Sequence, residues 1–228
     1  MILILRGHIR NSFQDLKLYR LLKHIQQVVE LELYICTWSV FSTSRSYRLI
    51  QDNSTPVTTE IIHAYFKDLV PCIKGLHIMN EDNVTMTGRT EGTVGEVAPI
   101  KGWKYMVANI FYFLDALHKS GHNPMSNILT TRFDILHLAC NRVNPQYFME
   151  FVQAHKDTYR PIVFTKVRIR PHCGCDNLMI GKLKFLHALF EKLHFCLDEV
   201  LERHPVQLHQ EHYVMMEHAY LESLRKQR

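Results

Sequence analysis

The sequence contains no long hydrophobic run. No stretch approaches the roughly 18 apolar residues that a membrane-spanning helix needs. The start, MILILRGHIR, has only five residues before its first charge, too few for the core of a signal peptide. The six cysteines lie mostly in apolar surroundings, which is typical of free thiols in a reducing compartment. We therefore expect a protein without a membrane span that works in the cytoplasm.

Signature motifs of several common protein classes are also missing. The sequence has no Gly-x-Gly-x-x-Gly, no lysine-containing P-loop, no His-Glu-x-x-His and no Gly-x-Ser-x-Gly, so the simplest nucleotide-binding and hydrolase assignments do not apply. The net charge of +5 comes from dispersed basic residues, without the basic face or module that binds nucleic acid. We expect no nucleic-acid partner, whereas a mild positive bias fits a small ligand that carries phosphate.

The order of apolar patterns predicts an α/β fold with a mostly parallel, Rossmann-like sheet that is flanked by helices. Residues 2–5 and 31–38 read as buried strands, and the helical spacing of apolar residues in 14–30 joins them as a βαβ unit. We expect one domain, 1–228, with inserted loops at about 39–60 and 80–102. Further helices are predicted over 58–69, 103–121, 144–157, 176–203 and 205–228, and further strands over 73–79, 127–136 and 160–169.

The turn after the first strand is the first candidate site. Ligands of open α/β sheets bind beyond the carboxyl ends of the strands, and Gly7 stands there between basic side chains. A glycine lets the backbone approach a ligand closely, while Arg6, His8 and Arg10 can donate hydrogen bonds to a phosphate. The alternative is an ordinary basic turn.

A charged pair interrupts the apolar segment NILTTRFDILHL. Residues two apart on a strand share a face, so Arg132 and Asp134 should point the same way. The carboxylate could hold a divalent ion or a sugar hydroxyl, and the guanidinium could bind phosphate as a rigid fork. The alternative is a buried salt bridge between strand and helix, which would be structural rather than catalytic.

Three more residues are candidates for ligand contacts. Trp38, at the end of the second strand, offers an indole on which a base or sugar could stack. Asp176 precedes a predicted helix at the same sheet edge, where the alternative role is a helix N-cap. Glu211 lies on the last predicted helix and could contact a ligand. Cys173 and Cys175 are spaced too closely, and without a second pair, for a structural zinc site.

Several short segments resemble viral and bacterial glycosyltransferases of the GT-A fold, of the kind that build capsules and lipopolysaccharide. The resemblance covers most of the chain. It is carried by ILILRGHIRNSF, LYICTWS, GWKYM, TTRFDIL, CDNLMIG and HQEHYV.

The resemblance implies a transferase that moves a sugar from a nucleotide-sugar donor to a hydroxyl of a carbohydrate or other acceptor, in the host cytoplasm if the protein is viral. Asp134 would stand in the place of the usual Asp-x-Asp metal motif, but residue 132 is Arg. Either Asp134 holds Mn²⁺ or Mg²⁺ with the donor diphosphate, or Arg132 neutralises the diphosphate itself. Asp176 and Glu211 are then the candidate bases for the acceptor hydroxyl.

Two other functions stay open from the sequence. A sulfotransferase or another nucleotide-ligand enzyme could use a similar sheet and the same basic residues. A non-catalytic interaction module could keep the fold without the chemistry, and a closed, apolar sheet edge with Arg132 and Asp134 paired to each other would favour it.

Overall fold

The computed structural model describes residues 1–43, 52–94, 98–137, 143–165, 177–205 and 210–227. The strands in these residues are β1 (Ile2–Arg6), β2 (Glu32–Trp38), β3 (Val40–Ser42), β4 (Asn53–Pro56), β5 (Ile73–Met79), β6 (Thr93–Val94), β7 (Ala98–Pro99), β8 (Asn127–Arg132), β9 (Ile162–Phe164) and β10 (Leu178–Lys182). The α-helices are α1 (Lys17–Val28), α2 (Thr59–Phe66), α3 (Ile100–Lys119), α4 (Pro145–His155), α5 (Leu183–Phe195), α6 (Leu197–Arg203) and α7 (Gln210–Lys226).

The central sheet has six strands in the described part of the chain, in the order β5-β2-β1-β8-β10-β9. The first four run parallel to one another, β10 is antiparallel to β8, and β9 is antiparallel to β10. Counted within this sheet, the parallel strands follow the order 3-2-1-4 of a Rossmann half. The α/β fold with a mostly parallel, helix-flanked sheet is therefore confirmed.

Helices cover both faces of the sheet, and this explains why the sequence of β1 is apolar throughout. Leu3 and Leu5 face a core shared with α1, α2 and α4, whereas Ile2 and Ile4 face a core shared with α3, α5, α6 and α7. Because successive strand residues point to opposite faces, a strand that is covered on both sides needs an unbroken apolar run.

The predicted strand 127–136 is wrong in its second half. β8 ends at Arg132, and residues 133–136 form a 3₁₀ helix that contains Asp134. The reason is that the ladder ends on both sides: β1 stops at Arg6, the register partner of Arg132, and β10 begins opposite Thr131. The two charged residues are therefore not neighbours on the face of one strand.

The predicted helix 176–203 is also wrong at its start. Residues 178–182 form β10, which pairs with β8 on one side and β9 on the other, and the helix begins only at Leu183. A short apolar run does not by its periodicity distinguish a buried strand from a helix. In the predicted strand 160–169, β9 occupies only Ile162–Phe164, and 166–170 lie outside the described residues.

The two predicted inserted loops contain short strand pairs. β3 pairs with β4 inside 39–60, and β6 pairs with β7 inside 80–102. Helix α3 already begins at Ile100, three residues before the predicted start at 103. In the described part of the chain, no helix is long and apolar enough to cross a membrane.

Candidate functional site

The carboxyl ends of β1 and β8 form the switch point of the sheet. From β1 the chain builds β2 and β5 on one side, and it then places β8 on the other side of β1. Arg6 and Arg132, the last residues of these two strands, are register partners. In open α/β sheets the ligand crevice lies at this reversal of strand order. The structure thus brings the turn after β1 together with the Arg132–Asp134 segment.

Arg6 is buried beneath this edge, with 1 % of its surface exposed. It shares a face of the sheet with Ile2 and Ile4, and its Nε donates to Thr130 Oγ1 at 3.4 Å. A guanidinium keeps its charge at all ordinary pH values. A permanent positive charge is therefore buried at the carboxyl end of β1.

Gly7 has a φ of +91°, which is favourable only for glycine. Its N–H lies 2.6 Å from Asn109 Oδ1 and 3.1 Å from the carbonyl oxygen of Cys36. Its own carbonyl oxygen accepts a hydrogen bond from Thr37 Oγ1 at 2.9 Å. A Cβ atom at Gly7 would meet nothing within 4 Å. The turn is therefore fixed by its neighbours while open space remains beside the glycine.

Asn109 is a site residue that the sequence analysis missed. It lies on α3, is almost fully buried, and orients the Gly7 turn through its side-chain oxygen. Its Nδ2 lies 3.3 Å from Cys36 Sγ and 3.4 Å from Met79 Sδ. A buried amide is costly unless it is bonded, so a lone asparagine on the apolar side of a helix was a usable signal.

Asp134 is held by two arginines. Its Oδ1 accepts from Arg132 Nε and its Oδ2 from Arg132 Nη2, both at 2.8 Å, and Arg10 Nη1 also donates to Oδ2. The side chain is 4 % exposed. Burial alone would raise the pKa of Asp134, but the charges of Arg132 and Arg10 outweigh burial and hold the pKa at about 2. The carboxylate is therefore ionised at neutral pH.

The surroundings of Asp134 do not fit a Mn²⁺ or Mg²⁺ ion as they stand. Both carboxylate oxygens already accept hydrogen bonds from guanidinium groups. The positive charges of these two arginines would also repel a metal cation. Among the described residues, no group of three or more His, Cys, Asp or Glu side chains is placed to hold a metal ion. A metal at Asp134 would first have to displace Arg132 or Arg10.

His8 and Trp38 lie together at the β2 side of the same edge. His8 Nδ1 is 3.2 Å from the Val40 carbonyl oxygen, and Nε2 is 3.3 Å from Glu81 Oε1, close enough for an ion pair but not aligned for a hydrogen bond. The Trp38 ring packs against His8 and Tyr105, with 2 % of the residue exposed. A base could stack on this indole only if those neighbours moved.

No protein-family model matches the chain, and no curated protein matches it. Among solved structures, the apo form of mouse xyloside xylosyltransferase 1 is similar with a TM-score of 0.33 and 10% sequence identity, over 97% of this chain and 81% of that one. At this TM-score the likeness does not establish a shared fold.

The structure describes one of the two predicted base residues. Glu211 lies in the first turn of α7, a helix that packs on α5 and α6, and Asp176 lies outside the described residues. Asn177, which the sequence analysis did not single out, does reach the switch point. Its Oδ1 accepts from Arg132 Nη1 at 3.2 Å, and its carbonyl oxygen accepts from Thr131 Oγ1 at 3.2 Å.

Proposed function

We propose that the chain is a nucleotide-sugar-dependent glycosyltransferase that binds the donor diphosphate at the switch point of its sheet. One observation carries the proposal: three arginines are positioned around the adjoining ends of β1 and β8. Arg6 and Arg132 are register partners there, and Arg10 and Arg132 both bond Asp134. Gly7, which follows Arg6 in the turn, has open space where a Cβ atom would stand. The guanidinium fork matches phosphate oxygens in shape and charge. The contributing residues are Arg6, Arg10 and Arg132.

In glycosyl transfer the bond between the anomeric carbon and the diphosphate breaks, and negative charge grows on the departing phosphate. Fixed positive groups at that position stabilise the transition state without reorganising during the reaction. Arg132, held in orientation by Asp134 and Asn177, is suited to this role. The acceptor hydroxyl loses a proton in the same reaction, and Asp176 and Glu211 stay predictions for the base.

A panel of nucleotide sugars tests the proposal. Thermal unfolding and release of free nucleotide are measured for each donor, with and without Mn²⁺. We expect at least one donor to raise the Tm and to be cleaved without added Mn²⁺, because the arginines supply the positive charge. Cleavage that requires Mn²⁺ would instead support the metal role of Asp134. The absence of any response to every donor would overturn the proposal.

Gly7→Ala and Gly121→Ala form a matched pair of variants for this panel. Gly121, after the end of α3, has a φ of +79°, and a Cβ atom there also meets nothing within 4 Å. Both substitutions should cost about 1 kcal/mol of backbone strain. Only Gly7→Ala places a methyl group in the proposed donor space, so only this variant should lose the Tm shift. Equal donor responses in both variants would contradict the assignment.

The interaction-module alternative also has an observation in its favour, because Arg132 and Asp134 do bond each other directly. A sulfotransferase would use the same guanidinium groups. The panel separates these alternatives if it includes a sulfonucleotide. Binding of the sulfonucleotide alone indicates sulfuryl transfer, and binding of no nucleotide indicates a non-catalytic module.

A further inference from the structure

A cleft of about 440 Å³ opens beside the switch point. Its walls come from the turn after β1, from β3 and from α2, and they are mostly apolar. This volume is within the range of pockets that bind small organic ligands, which are also largely apolar with a few polar groups. The lining residues are Arg10, Phe13, Gln14, Phe41, Asn53, Ile61, Ala64 and Tyr65.

The aromatic wall of this cleft is fixed in place by its own contacts. Phe13 stacks on Tyr65 with ring centroids 3.9 Å apart and planes within 9°, and it meets Phe41 edge-on at 6.2 Å. The Tyr65 hydroxyl donates to the carbonyl oxygen of Asp15 at 3.0 Å and accepts from the Tyr19 N–H at 3.3 Å. A wall that is already ordered loses little conformational entropy on binding a flat ligand.

Arg10 connects this cleft to the switch point. Its guanidinium bonds Asp134, the residue is also part of the cleft lining, and its side chain is 17 % exposed. The cleft therefore combines an aromatic wall with one cationic residue. Aromatic rings prefer stacked or edge-to-face contacts with other rings, whereas a guanidinium binds acid groups through charge-assisted hydrogen bonds.

We propose that the cleft binds a ligand with an aromatic ring system and an anionic group, the ring lying against Phe13 and Phe41 and the acid reaching Arg10. This ligand class follows from the cleft alone. That the ligand is the acceptor of the transferred sugar rests on the proposed function, because the cleft ends where the donor diphosphate is proposed to bind.

Binding of 1-naphthyl phosphate, measured by titration calorimetry on the full chain, tests the proposal. We expect it to bind about tenfold more tightly than 1-naphthol, which lacks the charge, and than inorganic phosphate, which lacks the ring. Decyl phosphate, with the same acid on a flexible chain, should also bind more weakly. Equal affinity for naphthyl phosphate and any one of these three compounds would overturn the proposed ligand class.

Ala64→Phe and Ala116→Phe locate the binding. Both alanines are exposed on helices, Ala64 at the cleft in α2 and Ala116 on α3. Ala64→Phe fills the cleft and should weaken naphthyl phosphate at least about tenfold, while Ala116→Phe should leave it unchanged. Circular dichroism checks that both variants fold. Unchanged binding in Ala64→Phe would overturn the location.

The same variants separate this inference from the proposed function. If the cleft is a site apart from the donor site, Ala64→Phe should keep the Tm shift with the nucleotide sugar that stabilises the wild type. Naphthyl phosphate binding without any donor response would support the cleft and overturn the proposed function. A donor response without naphthyl phosphate binding would support the proposed function and overturn the ligand assignment of the cleft.

Discussion

Asp134 is a buried charge whose cost is offset by two arginines. Its pKa of about 2 lies below the ordinary value of 3.8, so the folded protein binds a proton there less readily than the unfolded chain does. The corresponding stabilisation is present above about pH 4 and is lost as the pH falls through 3.8 towards 2. Removing the carboxylate at neutral pH takes the negative charge away from the two arginines. In a buried pair such a loss lowers the free energy of unfolding by several kcal/mol.

We predict that Asp134→Asn unfolds at lower urea concentration than the wild type at neutral pH. Its free energy of unfolding should also depend less on pH in the acid range. Between about pH 5 and about pH 3, the free energy of unfolding of the wild type should fall by about 1 kcal/mol more than that of the variant. Urea unfolding at a series of pH values measures this. Asp157→Asn, at an exposed position, should keep the wild-type pH dependence. Parallel curves for wild type and Asp134→Asn would contradict the pairing.

At the residue scale, the sequence predicted the charged and glycine residues of the switch point better than their partners. Arg6, Gly7 and Arg132 follow from the rule on strand ends. Asn109 and Asn177 were missed because their roles depend on which backbone groups the fold brings to them. The pair Arg132–Asp134 was predicted on one strand face, yet a 3₁₀ turn brings the carboxylate back onto the arginine.

At the scale of elements, β1 was predictable because it is buried along its whole length and therefore needs an unbroken apolar run. β1, β2 and β5 agree with their predicted ranges within a residue. β10 was predicted as helix because its five residues carry no alternation, and only its pairing with β8 and β9 decides its conformation. The end of β8 likewise depends on where its neighbours stop, which lies elsewhere in the sequence.

Helix α2, which forms one wall of the aromatic cleft, is capped at its start by Thr58. Thr58 Oγ1 accepts from the Ile61 N–H at 3.3 Å, and Thr59 is the first helical residue. We predict that Thr58→Ala lowers the free energy of unfolding by about 1 kcal/mol, measured by urea unfolding. Thr59→Ala should change it by less than about 0.5 kcal/mol. Equal losses would show that the cap bond contributes nothing.

At the scale of the whole molecule, the two sheet faces carry different helix layers, and the last helix is joined to its layer by a buried ion cluster. Glu217 on α7 is fully buried, and both of its oxygens lie 2.8 Å from Arg203 Nη1. His204 Nε2 lies 3.1 Å from Glu217 Oε2, and the Arg203 guanidinium covers the Tyr220 ring at 4.3 Å. The cluster therefore fixes α7 against the end of α6.

We predict that Glu217→Gln loosens α7 before the rest of the molecule. The substitution keeps the shape but removes the charge that Arg203 faces in a buried setting, so it should cost about 2 kcal/mol. Hydrogen exchange of the α7 amides should accelerate while β1 and β8 keep their protection, because local opening needs less free energy than global unfolding. Glu222→Gln on the same helix, where the side chain is 34% exposed, should change neither the free energy of unfolding nor the exchange of the α7 amides. If exchange instead accelerates equally in α7 and in the central strands, the cluster stabilises the whole fold rather than the docking of one helix.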